Sequence, residues 1–172
     1  MNTFYEPLLQ LEVFMQARER LAKKEGLLLL TGCVESQKTH LIYGLGQGAD
    51  VKLILTYSEL KAKEIYEEYQ ALGEEVFYYP AKDFLFFHAD IQGNELLRQR
   101  MTAVSRLLSG QPTVIVTTLD GCMDPLLPFD KLKELTLTIG LGSVVEMEAM
   151  KRRLVRMGYE RTGQAELPGQ FA

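Results

Sequence analysis

The amino-acid sequence predicts an α/β fold in which helices cover a parallel β-sheet. Short apolar runs bounded by glycine or proline alternate with longer amphipathic stretches, and most of these runs are continuously apolar, as in strands buried on both faces. This alternation is typical of βαβ units, whose crossovers are right-handed. It weakens after Pro125 and Pro128, where we predict that a small α+β domain begins.

Four apolar runs are predicted to be the strands of the parallel sheet. The first, residues 27–30, is a run of leucines that follows Gly26 and ends at Thr31. Such short runs between glycines are typical of buried parallel strands. The other three predicted strands are Val51–Thr56, Val76–Tyr79 and Thr113–Thr118.

Helices are predicted between and around these strands. Residues 94–109 have the clearest pattern, because apolar side chains recur at i, i+4, i+7 and i+11 from Leu97 onward. Ser58 is a favourable N-cap for a helix that reaches about residue 72, where Gly73 stops it. The remaining predictions are helices over 5–24, 37–45 and 146–157, and a half-exposed strand over 135–139.

Composition and charge limit the function classes. The 172 residues, 47% of them hydrophobic, suffice for one domain and part of a second. A net charge of −4 argues against a dedicated nucleic-acid domain, which is usually basic. The two lone cysteines, Cys33 and Cys122, form no metal-binding spacing, and the sequence has neither a secretory signal nor an apolar run of about 20 residues. A cytoplasmic location is therefore expected.

The sharpest local signal is GCVESQKTH, residues 32–40, between the first predicted strand and a helix. A phosphate-binding loop there would be G-x-x-x-x-G-K-[ST], which Gly32, Lys38 and Thr39 match. Gln37 replaces the second glycine, and Glu35 adds a negative charge where phosphates would bind. We predict a degenerate loop that binds no nucleotide; weak binding and chance similarity are the alternatives.

Other chemically reactive residues give weaker signals. Asp120, at the end of the fourth predicted strand, is the one carboxylate placed to organise Mg²⁺, although acids often end strands. Phe84, Phe86 and Phe87 could stack on bases beside His88, but core packing is the more ordinary role. No catalytic residue, metal ligand or cofactor is predicted.

Three stretches of the sequence resemble a known family. They are LLLLTGCVESQKTHLIYGL, the segment from YYPAKDF to TVIVTT, and the segment from LKELTLT to the end, in which GYER and PGQFA are the most specific pieces. They resemble the N-terminal part of the bacterial transcription-repair coupling factor (Mfd) family, which is itself similar to the excision-nuclease subunit UvrB. The resemblance implies a degenerate RecA-like, helicase-like lobe over 1–128 and a truncated UvrA-docking domain over 129–172.

The resemblance also implies a role in nucleotide excision repair. The full-length family member is an ATP-dependent DNA translocase, so this chain is expected to be a non-catalytic N-terminal fragment. UvrB itself fits less well, because it has an intact phosphate loop and a long DNA-clamping hairpin. The alternatives are a working nucleotide-binding enzyme with a phosphate loop, or a fragment of a UvrB-type excinuclease subunit.

The expected partner is the damage-recognition subunit UvrA. UvrB has arginines at the position of Arg161 and at that of Ala172, where this chain departs from the pattern. Residues 151–161 contain five basic side chains and one acid, enough to steer an acidic partner. A solvated helix face is the alternative, and only weak nucleic-acid binding is expected. The candidate docking residues are Arg152, Arg153, Arg156 and Arg161.

Overall fold

The chain divides into two compact units. The computed structural model describes residues 3–24, 26–82, 90–167 and 169–172, with only the backbone described for 90–94. The N-terminal unit is Met1–Pro125 and the C-terminal unit is Leu126–Ala172. Within the described residues, no helix is both long enough and apolar enough to cross a membrane.

A parallel three-stranded sheet organises the N-terminal unit. Its strands are β1 (Val51–Thr56), β2 (Val76–Tyr79) and β3 (Thr113–Thr118), in the order β1–β3–β2. All six residues of the central strand β3 are buried. The predicted fold class is confirmed: the sheet is parallel and helices flank it, as in a RecA-like lobe.

Among the described residues of the N-terminal unit, five α-helices precede, connect or follow these strands. Ser58 caps α3 by accepting a hydrogen bond from the Lys61 amide, and Thr118 caps α5 in the same way from Gly121. A 3₁₀ turn, Glu6–Gln10, precedes α1, so the predicted helix over 5–24 is divided. The helices are α1 (Glu12–Ala22), α2 (Glu35–Leu45), α3 (Glu59–Ala71), α4 (Asp90–Leu108) and α5 (Leu119–Met123).

The two faces of the sheet are covered by different helices. Residues of α3, including Ala62 and Tyr69, pack with Ile54 and Val116 in the main core cluster. Each large apolar side chain buried there contributes about 1.5–3 kcal/mol. Because side chains alternate along a strand, Phe77 lies on the opposite face, where α4 packs against β2.

Residues 27–30 do not form the predicted strand. Leu27 is 89% exposed and Leu29 is 78% exposed, and none of the described strands pairs with this segment. Apolar composition reports a tendency toward burial, whereas a strand also needs a neighbour for its backbone N–H and C=O groups. The prediction of a buried strand here was wrong.

The C-terminal unit contains two helices and a pair of very short strands. They are α6 (Phe129–Glu134), α7 (Met147–Arg156), β4 (Glu160–Arg161) and β5 (Gln170–Phe171), with β4 and β5 parallel. The predicted strand over 135–139 is absent. Leu135 instead continues the last turn of α6 by donating to the Lys131 carbonyl, and the Thr136 hydroxyl donates to Leu132.

Candidate functional site

The phosphate-loop position is a short turn followed directly by a helix. Gly32 has φ +82°, the left-handed conformation that glycine adopts without strain. Helix α2 then begins at Glu35, two residues before the predicted start, and the Gln37 amide donates to the Val34 carbonyl at 3.0 Å. The residues that would curl around a phosphate therefore form the first turn of a helix.

An acidic side chain supplies the negative charge at this helix N-terminus. Glu35 forms ion pairs with Lys38 and, at 3.2 Å, with Lys61. The hydrogen bonds from these two lysines lower the pKa of Glu35, so its carboxylate stays ionised. Lys38, the residue that would contact the outer phosphates, is held by an internal carboxylate instead.

Thr39 and Asp120 are the two residues that the sequence offers for binding Mg²⁺ beside a nucleotide. The Thr39 side chain is only 3% exposed, so its hydroxyl is buried instead of facing a bound ion. Asp120 lies exposed in the first turn of α5 and forms no ion pair with the described residues. Among the described residues, no cluster of His, Cys, Asp and Glu could hold a metal ion.

Sequence reasoning missed the carboxylate that joins the ends of two strands. Glu59, the first residue of α3, accepts hydrogen bonds at 3.0 Å from the Thr118 hydroxyl and from the Ala81 amide, and a third from the Tyr78 hydroxyl. Ligands of open α/β sheets commonly bind at this carboxyl edge. Here the Glu59 carboxylate already accepts hydrogen bonds from three groups of the chain itself, so it connects the carboxyl ends of β2 and β3. An acidic residue after a Ser N-cap is common in helices, so the sequence gives no sign that Glu59 connects two strand ends.

A buried arginine was also missed. Arg100, on α4, is 4% exposed; it donates to the Pro80 carbonyl at 2.6 Å and to Asp124 at 3.0 Å. Its guanidinium lies 4.1 Å from the centre of the Tyr79 ring, close enough for a cation–π contact. Asp124 also accepts from the Lys82 amide at 3.0 Å. This network fixes the chain up to residue 82.

The predicted aromatic cluster cannot be placed. Phe84, Phe86, Phe87 and His88 lie outside the described residues. The other histidine, His40, contacts the Phe4 carbonyl.

Three of the four candidate docking arginines line one groove of the C-terminal unit. Arg152, Arg153 and Arg156 lie on one side of α7, where they border a groove of about 560 Å³. The other lining residues are Glu134, Leu135, Ala149 and Met157. We call this set of seven residues the arginine groove.

Arg161 lies apart from the arginine groove. It is an exposed residue of β4, paired in register with Phe171 of β5. The Thr162 amide donates to the Phe171 carbonyl at 2.8 Å, and the Glu160 amide donates to the Gly169 carbonyl at 2.8 Å. Arg161 is therefore an exposed residue of the strand pair and is not part of the groove lining.

Comparisons with known proteins find similarity to transcription-repair-coupling factors. No protein-family model matches the chain. It is 26% identical over 121 residues to a transcription-repair-coupling factor of Bacillus subtilis, covering 69% of this chain and 10% of that protein. Proteins of the same name match from Staphylococcus epidermidis (28% over 98 residues, 57% of this chain, 8% of that protein) and Staphylococcus aureus (23% over 147 residues, 84% and 13%).

The chain is distantly related to a region of transcription-repair-coupling factors. It spans only about a tenth of the length of the curated relatives that it matches. The relationship reaches across most of the chain, since the alignment to the Staphylococcus aureus protein covers 84% of it.

Proposed function

We propose that this chain is a non-catalytic, UvrB-like module of a transcription-repair coupling factor, and that it recruits UvrA in nucleotide excision repair. The observation that carries the proposal is the match to transcription-repair-coupling factors from three bacterial species over most of the chain. The RecA-like arrangement β1–β3–β2 supports a lobe of this type.

The absence of nucleotide hydrolysis is supported by the geometry at residues 32–40. Glu35 binds the lysine that would contact phosphates, and α2 begins before the position where a loop would close around them. A bound phosphate would also approach an ionised carboxylate, which is unfavourable by Coulomb's law.

The docking surface is proposed to lie in residues 129–172, with Arg161 as a contact. In support, the C-terminal unit has seven basic and six acidic residues, whereas residues 1–125 have 12 basic and 17 acidic ones. Arg161 is exposed and forms no ion pair with the described residues, so its guanidinium is available for bidentate pairing with a carboxylate.

The test is the affinity of this chain for purified UvrA, measured by calorimetry. An arginine paired with a carboxylate and desolvated at an interface loses about 2–5 kcal/mol of binding free energy when truncated. Arg161→Ala and Arg161→Glu should weaken binding by that order, while the melting temperature stays nearly constant.

Lys151→Ala is the matched control, because Lys151 already pairs with Glu148 at 3.0 Å on the surface of the same unit. It should change the affinity little. If the wild-type chain binds UvrA and Arg161→Glu binds equally well, Arg161 is only a solvated surface residue.

A further inference from the structure

The arginine groove combines three cations with an apolar lining. Arg152 and Arg156 are separated by four residues of α7, which places them about 6 Å apart along the helix axis. Leu135 and Met157, beside the ends of α6 and α7, contribute apolar surface to the same groove. The C-terminal unit thus has a concave surface whose lining contains both cationic and apolar side chains.

Many N–H groups of these arginines have no acceptor among the described residues. Arg153 donates to the Thr136 carbonyl at 2.8 Å, which fixes its position. Arg156 forms no ion pair with the described part of the chain. Because each guanidinium carries five N–H donors, the groove retains most of its capacity to bind carboxylates.

Two acids, Glu134 and Glu146, offset part of the charge of these arginines. Glu134 pairs with Lys131 at 2.8 Å, and the hydrogen bond from Lys131 lowers the pKa of Glu134. Glu146 accepts from the amides of Glu148 and Ala149 as the N-cap of α7, and it forms a long, exposed ion pair of 4.0 Å with Arg152. Exposed pairs of this kind are weak. Three arginines and one acid, Glu134, line the groove, which therefore keeps a net positive charge.

We propose that the arginine groove binds an acidic segment of a partner protein, one that presents two carboxylates about one helical turn apart beside an apolar side chain. The carboxylates would pair with Arg152 and Arg156, and the apolar side chain would pack on Leu135 and Met157. This inference deepens the proposed docking role and rests on it only for the identity of the partner.

Charge complementarity and shape favour a protein segment over nucleic acid. A duplex is bound through many phosphate contacts, whereas three arginines on one short helix provide few. The apolar lining would leave phosphates beside Leu135 and Met157, surfaces that an amphipathic peptide would cover.

The first arm of the test uses a synthetic 16-residue helical peptide with glutamates at i and i+4 beside leucines, and a second peptide in which glutamine replaces each glutamate. Binding to the full chain is measured by fluorescence anisotropy. We expect the wild-type chain to bind the glutamine peptide at least about tenfold more weakly than the glutamate peptide. The variant Arg156→Glu should show a loss of the same size for the glutamate peptide. Equal binding of the two peptides would overturn the proposal.

Lys133→Glu is the matched control, because it makes the same charge change in the same unit at a residue that does not line the groove. It should change peptide affinity by less than about twofold. Arg156 is the residue to reverse, since Arg153 also holds the Thr136 carbonyl and its loss could disturb the fold. If a 20-base-pair DNA duplex binds more tightly than the peptide and depends equally on Arg156, the ligand class is wrong.

The second arm separates this inference from the proposed function by measuring UvrA binding to the same variants. If the acidic peptide needs Arg156 but UvrA does not, the groove is an acidic-segment site and its partner is another protein. If UvrA binding depends on Arg161 while the acidic peptide fails to bind, the docking role stands and the groove proposal falls.

Discussion

Two buried tyrosine hydroxyls differ in their hydrogen bonding. The Tyr69 side chain is fully buried and its hydroxyl has no hydrogen-bond partner among the residues that the structure describes, whereas the Tyr78 hydroxyl donates to Glu59. A buried polar group without a partner costs about 1–3 kcal/mol. Packing of the Tyr69 ring against Tyr43, with ring centres 6.0 Å apart, explains why the aromatic ring itself is favourable there.

Tyr69→Phe should leave the free energy of unfolding unchanged or raise it by up to about 1 kcal/mol, because it removes the unpaired hydroxyl and keeps the ring. Tyr78→Phe is the control and should lower stability by about 1 kcal/mol, since it removes one of the three hydrogen bonds that Glu59 accepts. Urea unfolding followed by circular dichroism measures both. A clear loss of stability in Tyr69→Phe would show that its hydroxyl has a favourable partner.

Stability should fall at alkaline pH. Burial raises the pKa of Tyr69 and of Tyr78 above the ordinary tyrosine value of about 10. The unfolded chain therefore loses these protons first, so the stabilisation is complete below about pH 10 and is lost as the pH rises further. Unfolding free energies measured at several pH values from 8 to 11.5 should decline less steeply in Tyr69→Phe. Identical curves for the variant and the wild type would contradict this.

At the scale of elements, the packing of α2 depends on a glycine. A Cβ added at Gly44 would lie 2.4 Å from Leu8 Cδ1 and 3.0 Å from ring carbons of Phe14, both of them buried. The absence of a side chain at Gly44 therefore allows the N-terminal segment and α1 to approach α2 closely.

Gly44→Ala should lower the free energy of unfolding by a net amount of roughly 1–2 kcal/mol. Overpacking costs about 1–3 kcal/mol, and alanine returns up to about 1 kcal/mol through its helix propensity. Gly163→Ala is the control, because no heavy atom of the described residues, apart from its chain neighbours, lies within 4 Å of the added carbon. Thermal unfolding of both variants provides the measurement, and equal midpoints would contradict the close contact.

The ion pair between α4 and the end of α5 should contribute strongly to folding. The Arg100 and Asp124 side chains are 5% and 13% exposed, and removing one partner of a buried pair costs about 3–5 kcal/mol. Asp124→Ala should show a loss of this size in urea unfolding. Asp120→Ala, which removes an exposed carboxylate four residues earlier, should change stability by less than about 0.5 kcal/mol. Similar effects of the two variants would argue against the network.

For the whole molecule, charge is distributed unevenly between the two units. The acidic excess lies in residues 1–125, with 17 acidic and 12 basic side chains, while residues 126–172 have one more basic than acidic side chain. The phosphate-loop position belongs to the acidic unit and the arginine groove to the other one. Anionic ligands should therefore be disfavoured at the phosphate-loop position and favoured at the arginine groove.

Mg-ATP should give no binding heat with this chain at millimolar nucleotide. The reason is the Glu35 carboxylate beside Lys38, together with the early start of α2. Isothermal titration calorimetry provides the measurement, and Lys38→Ala is the control that should behave like the wild type. A micromolar dissociation constant that Lys38→Ala abolishes would contradict the degenerate loop.

The sequence by itself determined the α/β class, the bounds of β1, β2 and β3, and the approximate positions of the main helices that flank them. These features follow from local patterns, because continuous apolar runs report burial on both faces and residues such as Ser58 mark helix starts. The prediction of a degenerate loop also comes from the sequence alone, since Glu35 and Gln37 disfavour phosphate binding there through charge and bulk.

Only the tertiary structure decided which apolar runs pair and which polar groups meet. Residues 27–30 have the composition of a strand but no neighbouring strand among the described residues, and pairing depends on residues far away in the chain. Glu59 meets Thr118 across 59 positions and Arg100 meets Asp124 across 24, so no local pattern could predict these contacts. The same holds for the arginine groove, because charge counts give a basic segment but not its concave shape or apolar lining.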